Sequence, residues 1–468
     1  MIKTEKNPIF VITTKQNIMD SSTVYLENCN NYLQSITSIL SIDELEKLSK
    51  EHKFIQKEGI LDLKTGIKLF TYAANKISSL SLVDYCAFIE EETSKSIKKQ
   101  SIAERFSQKS VNFLTALLGK ILASQLKMPS TTNKKFKKII LVDSTGFEVC
   151  PQFNNFFKGA GGSGSGSSMK IQYAFDLISG SMSLFEITNG VTPDYKYSSK
   201  QNIEEDVLYI QDLGYFKTDG FEKIQNENGY FISRYSTSCN LYTSQDKREK
   251  GIDFIALVAI FLSLGKSSSS QNYYLSSSKR LPIRLVMFPV PEDIAKERMD
   301  KRSKKGKKTS SPSEKTMANS KVTIFITNVP EDVLSDEQIK TAYRLRWAIE
   351  LVFKIWKSIF KLDEVKKMSL HRYLTLFCFK LIMILIDFQV VTSIVTTAKN
   401  KGVFLSLYSC CALFKTHFAD RFHECILQNK QDELAELRRK MERQMLTHCR
   451  LDTNKNRTRI CDILQAMP

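Results

Sequence analysis

The chain has 468 residues, 42% hydrophobic and 25% charged, enough to bury a large core and to split into two to four domains. Its 68 Lys and Arg against 50 Asp and Glu leave a formal charge of +18, which points to a polyanionic partner because neutralising phosphates releases counterions. Ten cysteines are scattered without a C-x-x-C pair, and His417, His423 and Cys425 near Cys410–Cys411 are irregularly spaced, which argues against a zinc site.

The opening MIKTEKNPIF has no apolar core followed by a small-residue cleavage site, so a reducing cytoplasm is the expected compartment. Residues 1–130 read mainly as helix and as a DNA-binding region. In SIDELEKLSKEHKFIQ (41–56), Ser41 and Glu44 are spaced as a capping box. In the stretch 81–122, Ser101 is placed to cap IAERF (102–106) ahead of a longer apolar helix. That pattern fits a helix-turn-helix and fits a plain helical bundle equally well.

From Lys137 the period changes to two. KKIILVDSTGFEV (137–149), KIQYAFDLISG (170–180), SMSLFEITNG (181–190), DVLYIQDLGYF (206–216) and GYFISRYS (229–236) read as five strands. GAGGSGSGSS (159–168) reads as a flexible loop, and the SG and GS pairs at 179–182 as a hairpin turn. The region 238–322 is less regular. LPIRLVMFPV (281–290) is its clear strand, and the basic run 296–315 reads as a solvated loop or helix end. VTIFITNVP (322–330) is a further strand. The apolar run 374–395 is interrupted by Lys380 and Asp387, so it reads as a buried helix and not a membrane span. The chain ends in QDELAELRRKMERQMLTHC (431–449), a charged, exposed helix.

Two strands deliver an acid at an open position. The run Ile139–Val142 leads to Asp143, and Val207–Ile210 leads to Asp212, with Gly214 beyond it. Either acid alone serves as well for a helix cap or a turn. A third carboxylate stands in YRLRWAIELVFKIWKS (343–358), expected as one helix. At about 100° per residue, Tyr343, Arg346, Glu350, Lys354 and Lys357 share an arc of roughly 80° opposite an apolar stripe from Leu345 to Ile359. On their own these charges read as i,i+4 surface pairs. Three carboxylates converging within a cationic protein are also what two-metal phosphoryl transfer requires, since hard oxygen ligands hold Mg²⁺.

Residues 139–149, 206–216 and 322–358 resemble the DDE transposases of bacterial insertion sequences, thinning out across roughly 100–365. The most specific part is Tyr343, two residues, Arg346, three residues, Glu350, six residues, Lys357. It matches the Y-R-E-K signature of the branch that resolves its ends through DNA hairpins. ITNVP, DLGYF and ISRYS are also typical. The resemblance implies an α/β fold: a ribonuclease-H-like core (131–237 and 323–365), a mixed five-stranded sheet with flanking helices. A β-rich insertion (238–322) interrupts it, with helical regions at the N-terminus (1–130) and C-terminus (366–468), the last aiding dimerisation.

The resemblance further implies a cut-and-paste transposase whose Asp143, Asp212 and Glu350 bind two Mg²⁺, with Mn²⁺ as substitute. Tyr343, Arg346 and Lys357 would contact terminal-strand phosphates, with Arg234, Lys354 and Lys170 as weaker DNA contacts. The implied partners are double-stranded DNA with terminal inverted repeats, target DNA and a second copy of the chain, in a bacterial cytoplasm at the nucleoid, without membrane or nucleotide cofactor. Alternatives are a domesticated, non-catalytic DNA-binding protein and a stand-alone metal-dependent nuclease. Relatives often carry a base-stacking tryptophan where this chain has Thr323, and 238–322 has none; Phe325 or a tyrosine from 242–274 is the expected substitute.

Overall fold

The computed structural model describes residues 21–55, 59–124, 135–161, 165–198, 202–305, 313–451 and 463. Among them, nine strands form one mixed sheet: β1 Lys138–Glu148, β2 Ser168–Asp176, β3 Met182–Asn189, β4 Val207–Gln211, β5 Tyr230–Arg234, β6 Leu241–Tyr242, β7 Ser269–Leu275, β8 Leu281–Pro289 and β9 Val322–Thr327. The order across the sheet is β3-β2-β1-β4-β5-β9-β8-β7-β6. β4 runs parallel to both β1 and β5, and every other pair is antiparallel.

Parallel pairing puts β1 and β4 in the middle with both faces covered, which explains why their sequences are unbroken apolar runs and do not alternate. Ile139 and Leu141 face one core, Ile140 and Val142 the other. The strands of 238–322 join this same sheet: β9 pairs with β5 on one side and β8 on the other. ITNVP makes the junction. Thr327 donates to the Phe231 carbonyl at 2.6 Å, and the Asn328 amide bonds both Phe231 N and the Gly229 carbonyl at 2.8 Å.

The larger core lies between one face of the sheet and the helices from both ends of the chain. The helix Gln108–Ala123 packs along the long helix Leu370–Asn400, where Ser110 and Thr375 share a hydrogen bond of 2.7 Å. Leu370–Asn400 is the one helix among the described residues long and apolar enough to cross a membrane, and 89% of its most apolar stretch is buried inside the protein.

Several elements depart from the sequence reading. The short helix before Gln108–Ala123 starts at Lys99 after Lys98, so Ser101 sits inside its first turn and caps nothing. Ser41 does accept from Glu44 N. The basic run begins as part of the helix Glu292–Lys305, and 306–312 lie outside the described residues, as do 162–164 of the Ser/Gly loop. The helix Gln431–His448 buries Leu434, Arg438, Met441 and Met445 on one face. The strand β7 and the helix Phe254–Ser263 were not foreseen.

Candidate active site

Asp143 and Asp212 become neighbours through strand register. β1 and β4 are parallel, with Val142 opposite Gln211, so Asp212, just past the end of β4, lies beside Asp143, about 5 Å apart between backbones. Asp143 does not end its strand as the sequence reading had it, since β1 runs on to Glu148. Asp212 then starts a 3-10 turn, Leu213–Tyr215, closed by Tyr215 N to the Asp212 carbonyl at 3.0 Å.

The third acid arrives on a bent helical segment. A helix Asp336–Tyr343 passes into a 3-10 turn at Arg344–Arg346 and then into the helix Trp347–Ser358. The single helix expected here is therefore corrected. In a 3-10 turn residues three apart eclipse, and the Arg346 guanidinium lies 5.9 Å from the Tyr343 ring centre. Leu345, Ala348, Ile349, Val352, Ile355 and Trp356 are buried, as the apolar stripe requires. Arg284 of β8 fastens the start of the segment: it donates to the Leu334 carbonyl at 2.7 Å and pairs with Asp336 at 2.6 Å.

Around Arg346 the three acids meet. Its Nη1 lies 3.1 Å from Asp143 Oδ2, its Nη2 2.5 Å from Glu350 Oε1, and its Nε 3.7 Å from Asp212 Oδ1. Tyr343 donates its hydroxyl to the same Asp212 oxygen at 3.2 Å. Three carboxylates therefore share one cation. Burial pushes the Asp143 carboxyl up to about 6, with the charges of Asp212 and Glu350 adding to the rise against the Ser144 amide and Arg346. Burial also raises the Tyr343 phenol, so it acts as a hydroxyl donor. Among the described residues no group of three His, Cys, Asp or Glu is already drawn together tightly enough to hold a metal ion.

The other candidates spread outward from this point. Lys357 donates to the Gly146 carbonyl of β1 at 2.7 Å, and burial lowers its pKa. Lys354 is exposed, its ammonium 5.4 Å from the Tyr408 ring centre. Arg234 is exposed at the end of β5, close enough for its charge to act on the Tyr343 phenol. Lys170 is turned inward, bonding Asp194 and the Thr192 carbonyl at 3.0 Å each.

Of the expected stacking rings, Phe325 is 3% exposed and packs on Tyr343 with ring centres 5.1 Å apart. Tyr242 and Tyr273 are also buried, and Tyr274 is half-buried. Thr323 accepts from Arg298 at 3.0 Å. Trp347, next to Arg346 in the chain, is an open ring, 68% exposed. Its helical angle, about 40° from Tyr343, lies off the apolar stripe; that was the signal the sequence offered. A fourth acid, Asp194, also reaches the site through Ser144 at 2.9 Å, and nothing in the sequence marked it.

The model of the transposase DDE domain matches residues 134–386. The chain is 30% identical over 387 residues to the transposase for insertion sequence element IS1151 of Clostridium perfringens, covering 78% of this chain and 81% of that one. It is 26% identical over 365 residues to the transposase for IS231F of Bacillus thuringiensis subsp. israelensis, covering 74% and 76%. A cryo-EM structure of the piggyBac transposase synaptic complex with hairpin DNA aligns over 95% of this chain and 87% of that one, at 11% identity and a TM-score of 0.39, too low to equate the folds.

Proposed function

Because the chain belongs to the family of DDE-domain transposases encoded by insertion sequences, we propose that Asp143, Asp212 and Glu350 are its metal-binding catalytic acids. The observation that carries this is the convergence of three acids, far apart in the chain, on one guanidinium. The family depends on divalent metal, and this donor set fits Mg²⁺, with Mn²⁺ as substitute: three hard carboxylates carry more negative charge than one arginine offsets. Burial raises the Asp143 carboxyl, and the charges of Asp212 and Glu350 add to the rise, so added positive charge among the three acids would be favoured. Two divalent cations bound there would supply Lewis-acid charge at the attacking and leaving oxygens of a phosphodiester.

The chain's own groups do the rest. With divalent cations on the acids, Arg346 would be free to clamp a backbone phosphate with two parallel N–H bonds. Tyr343 has one hydroxyl hydrogen to donate, and Lys357, Lys354 and Arg234 line the approach as point charges. Trp347 offers an exposed face to an unstacked base. The reaction is hydrolysis at the transposon end, attack of the freed 3′-hydroxyl on the opposite strand to give a hairpin, hairpin opening by water, and attack on target DNA. Each step is an in-line displacement at phosphorus, in which one oxygen enters as another leaves and no covalent protein intermediate forms.

The sheet order β3-β2-β1-β4-β5 with only β2 antiparallel to its neighbours supports reading 131–237 and 323–365 as a ribonuclease-H-like core. On this reading 238–322 is an insertion that extends the sheet and braces the Tyr343 segment. Residues 1–130 would contact DNA, and 366–468 would help pair two copies in the bacterial cytoplasm. The test is cleavage. With Mg²⁺ and DNA carrying the element's own terminal inverted repeats, the protein should make double-strand breaks at the repeat ends, and Glu350→Gln should abolish them while sparing binding. Binding without cleavage by the wild type would favour a regulator, and cleavage without end specificity a nuclease.

A further inference from the structure

Behind Asp143 and Asp212 lies a second polar cluster that the proposed chemistry does not use. Asp194 follows Pro193 in the connection between β3 and β4. One of its oxygens, Oδ1, accepts from Ser144 at 2.9 Å, Lys170 at 3.0 Å and Gln172 at 2.9 Å. Ser144 is the residue after Asp143, and its amide donates to Asp143 Oδ1 at 2.8 Å. The path on the other side reaches Asp212. The Gln172 carbonyl oxygen accepts from Tyr215 at 2.5 Å, and Tyr215 closes the 3-10 turn that Asp212 begins. Gln172 and Tyr215 are 0% and 1% exposed, so these bonds are made away from water. Gly214, between them, lets the acid in: a Cβ there would stand 3.2 Å from Asp194 Oδ2.

We propose that Asp194 is a positioning residue which ties β1 at Ser144, the residue after Asp143, to the turn after Asp212 and so sets the spacing of the two acids for divalent cations. All three of its side-chain donors come from β1 and β2, the strands beside the site, and Gln172 carries the link on to Tyr215 in the turn that Asp212 begins. Lys170 supplies the countercharge, so the cluster stiffens the edge without adding to the negative charge the triad already carries. This gives Lys170 a different place from a DNA contact. Groups that orient metal ligands tune affinity by roughly 10–100-fold when removed. The inference rests on the triad reading above.

The test uses the full chain bound to pre-cleaved end DNA, titrated with Mn²⁺ and read by electron paramagnetic resonance, with end-DNA affinity and thermal midpoint measured in parallel. Asp194→Ala should bind end DNA as the wild type does but hold Mn²⁺ roughly 10–100-fold more weakly. Its cleavage should fall further in Mg²⁺ than in Mn²⁺. Asp194→Asn, which keeps an acceptor but loses the charge opposite Lys170, should fall between. If Asp194→Ala does not fold, Gly214→Ala carries the test. Its added methyl crowds Asp194 Oδ2 and should weaken Mn²⁺ binding in the same sense by a smaller factor. Wild-type Mn²⁺ affinity in the Asp194 variants, while Asp143→Ala loses the ion, overturns the positioning role and leaves the triad intact. Wild-type Mn²⁺ affinity in Asp143→Ala and Glu350→Gln as well overturns the triad reading and this one with it.

Discussion

The long helix Leu370–Asn400 and the sheet edge carrying Asp143 and Asp212 both hold charged groups away from bulk water, and they settle them differently. On the helix the two most buried charged groups lie apart, each with its own hydrogen-bond partner. Asp387 meets His423 at 2.7 Å with both side chains 1% exposed, and Lys380 donates to the Lys361 carbonyl at 2.6 Å. At the sheet edge three carboxylates compete for one arginine, and the most buried is pushed toward its neutral form. Paired burial is a structural solution. On the proposed reading, the unbalanced cluster is the place where further positive charge would arrive, which is how buried charge would separate site from scaffold.

The largest effect that should break the comparison is on activity. Glu350→Gln keeps the helix and its apolar stripe but removes one of the three charges proposed to bind metal. End cleavage should drop on the order of 10³-fold or more, with unfolding unaffected or slightly harder; a gel-based cleavage assay beside a melting curve reads both. Asp387→Ala should do the reverse. Deleting one partner of a buried pair costs about 3–5 kcal/mol, seen as a lower denaturant midpoint, while cleavage per folded molecule stays unchanged.

A pH series sharpens the contrast. The folded Asp143 carboxyl titrates near 6, and the same group in the unfolded chain near 4. Between these values the folded state holds the extra proton. Stability should therefore fall as pH rises from about 4 to 6 and stay lower above that, by at most about 3 kcal/mol. Asp143→Asn should remove that component of the slope, measured as the wild-type-minus-variant difference in unfolding free energy. Smallest is Lys354→Ala, on an exposed side chain. It should change stability by no more than about 0.5 kcal/mol and lower the slope of DNA affinity against salt by about one unit, read by anisotropy titrations at several salt concentrations.

How much of this was legible follows from where the information sits. The strands β1, β4 and β5 and the helix stripe at Leu345–Trp356 are local patterns, and periodicity carries them. Asp143, Asp212 and Glu350 could be named because each follows from a local pattern plus a family signature. What joins them is register between β1 and β4 and the 3-10 turn at Arg344–Arg346, and neither leaves a mark in one segment alone. The junction of β9 with both β5 and β8 is likewise tertiary; the apolar helix Phe254–Ser263 and the polar strand β7 gave no clear period. Asp194 was invisible for a simpler reason. An aspartate after proline reads as a turn former, and its three donors lie 22 to 50 residues away in sequence.

The most direct measurement is a structure of the protein with end DNA and Mn²⁺, using anomalous scattering to locate the ions. The account requires two peaks among the carboxylates of Asp143, Asp212 and Glu350, with Arg346 turned from the acids to a phosphate. Peaks elsewhere, or none with Arg346 still holding all three acids against bound DNA, would contradict it.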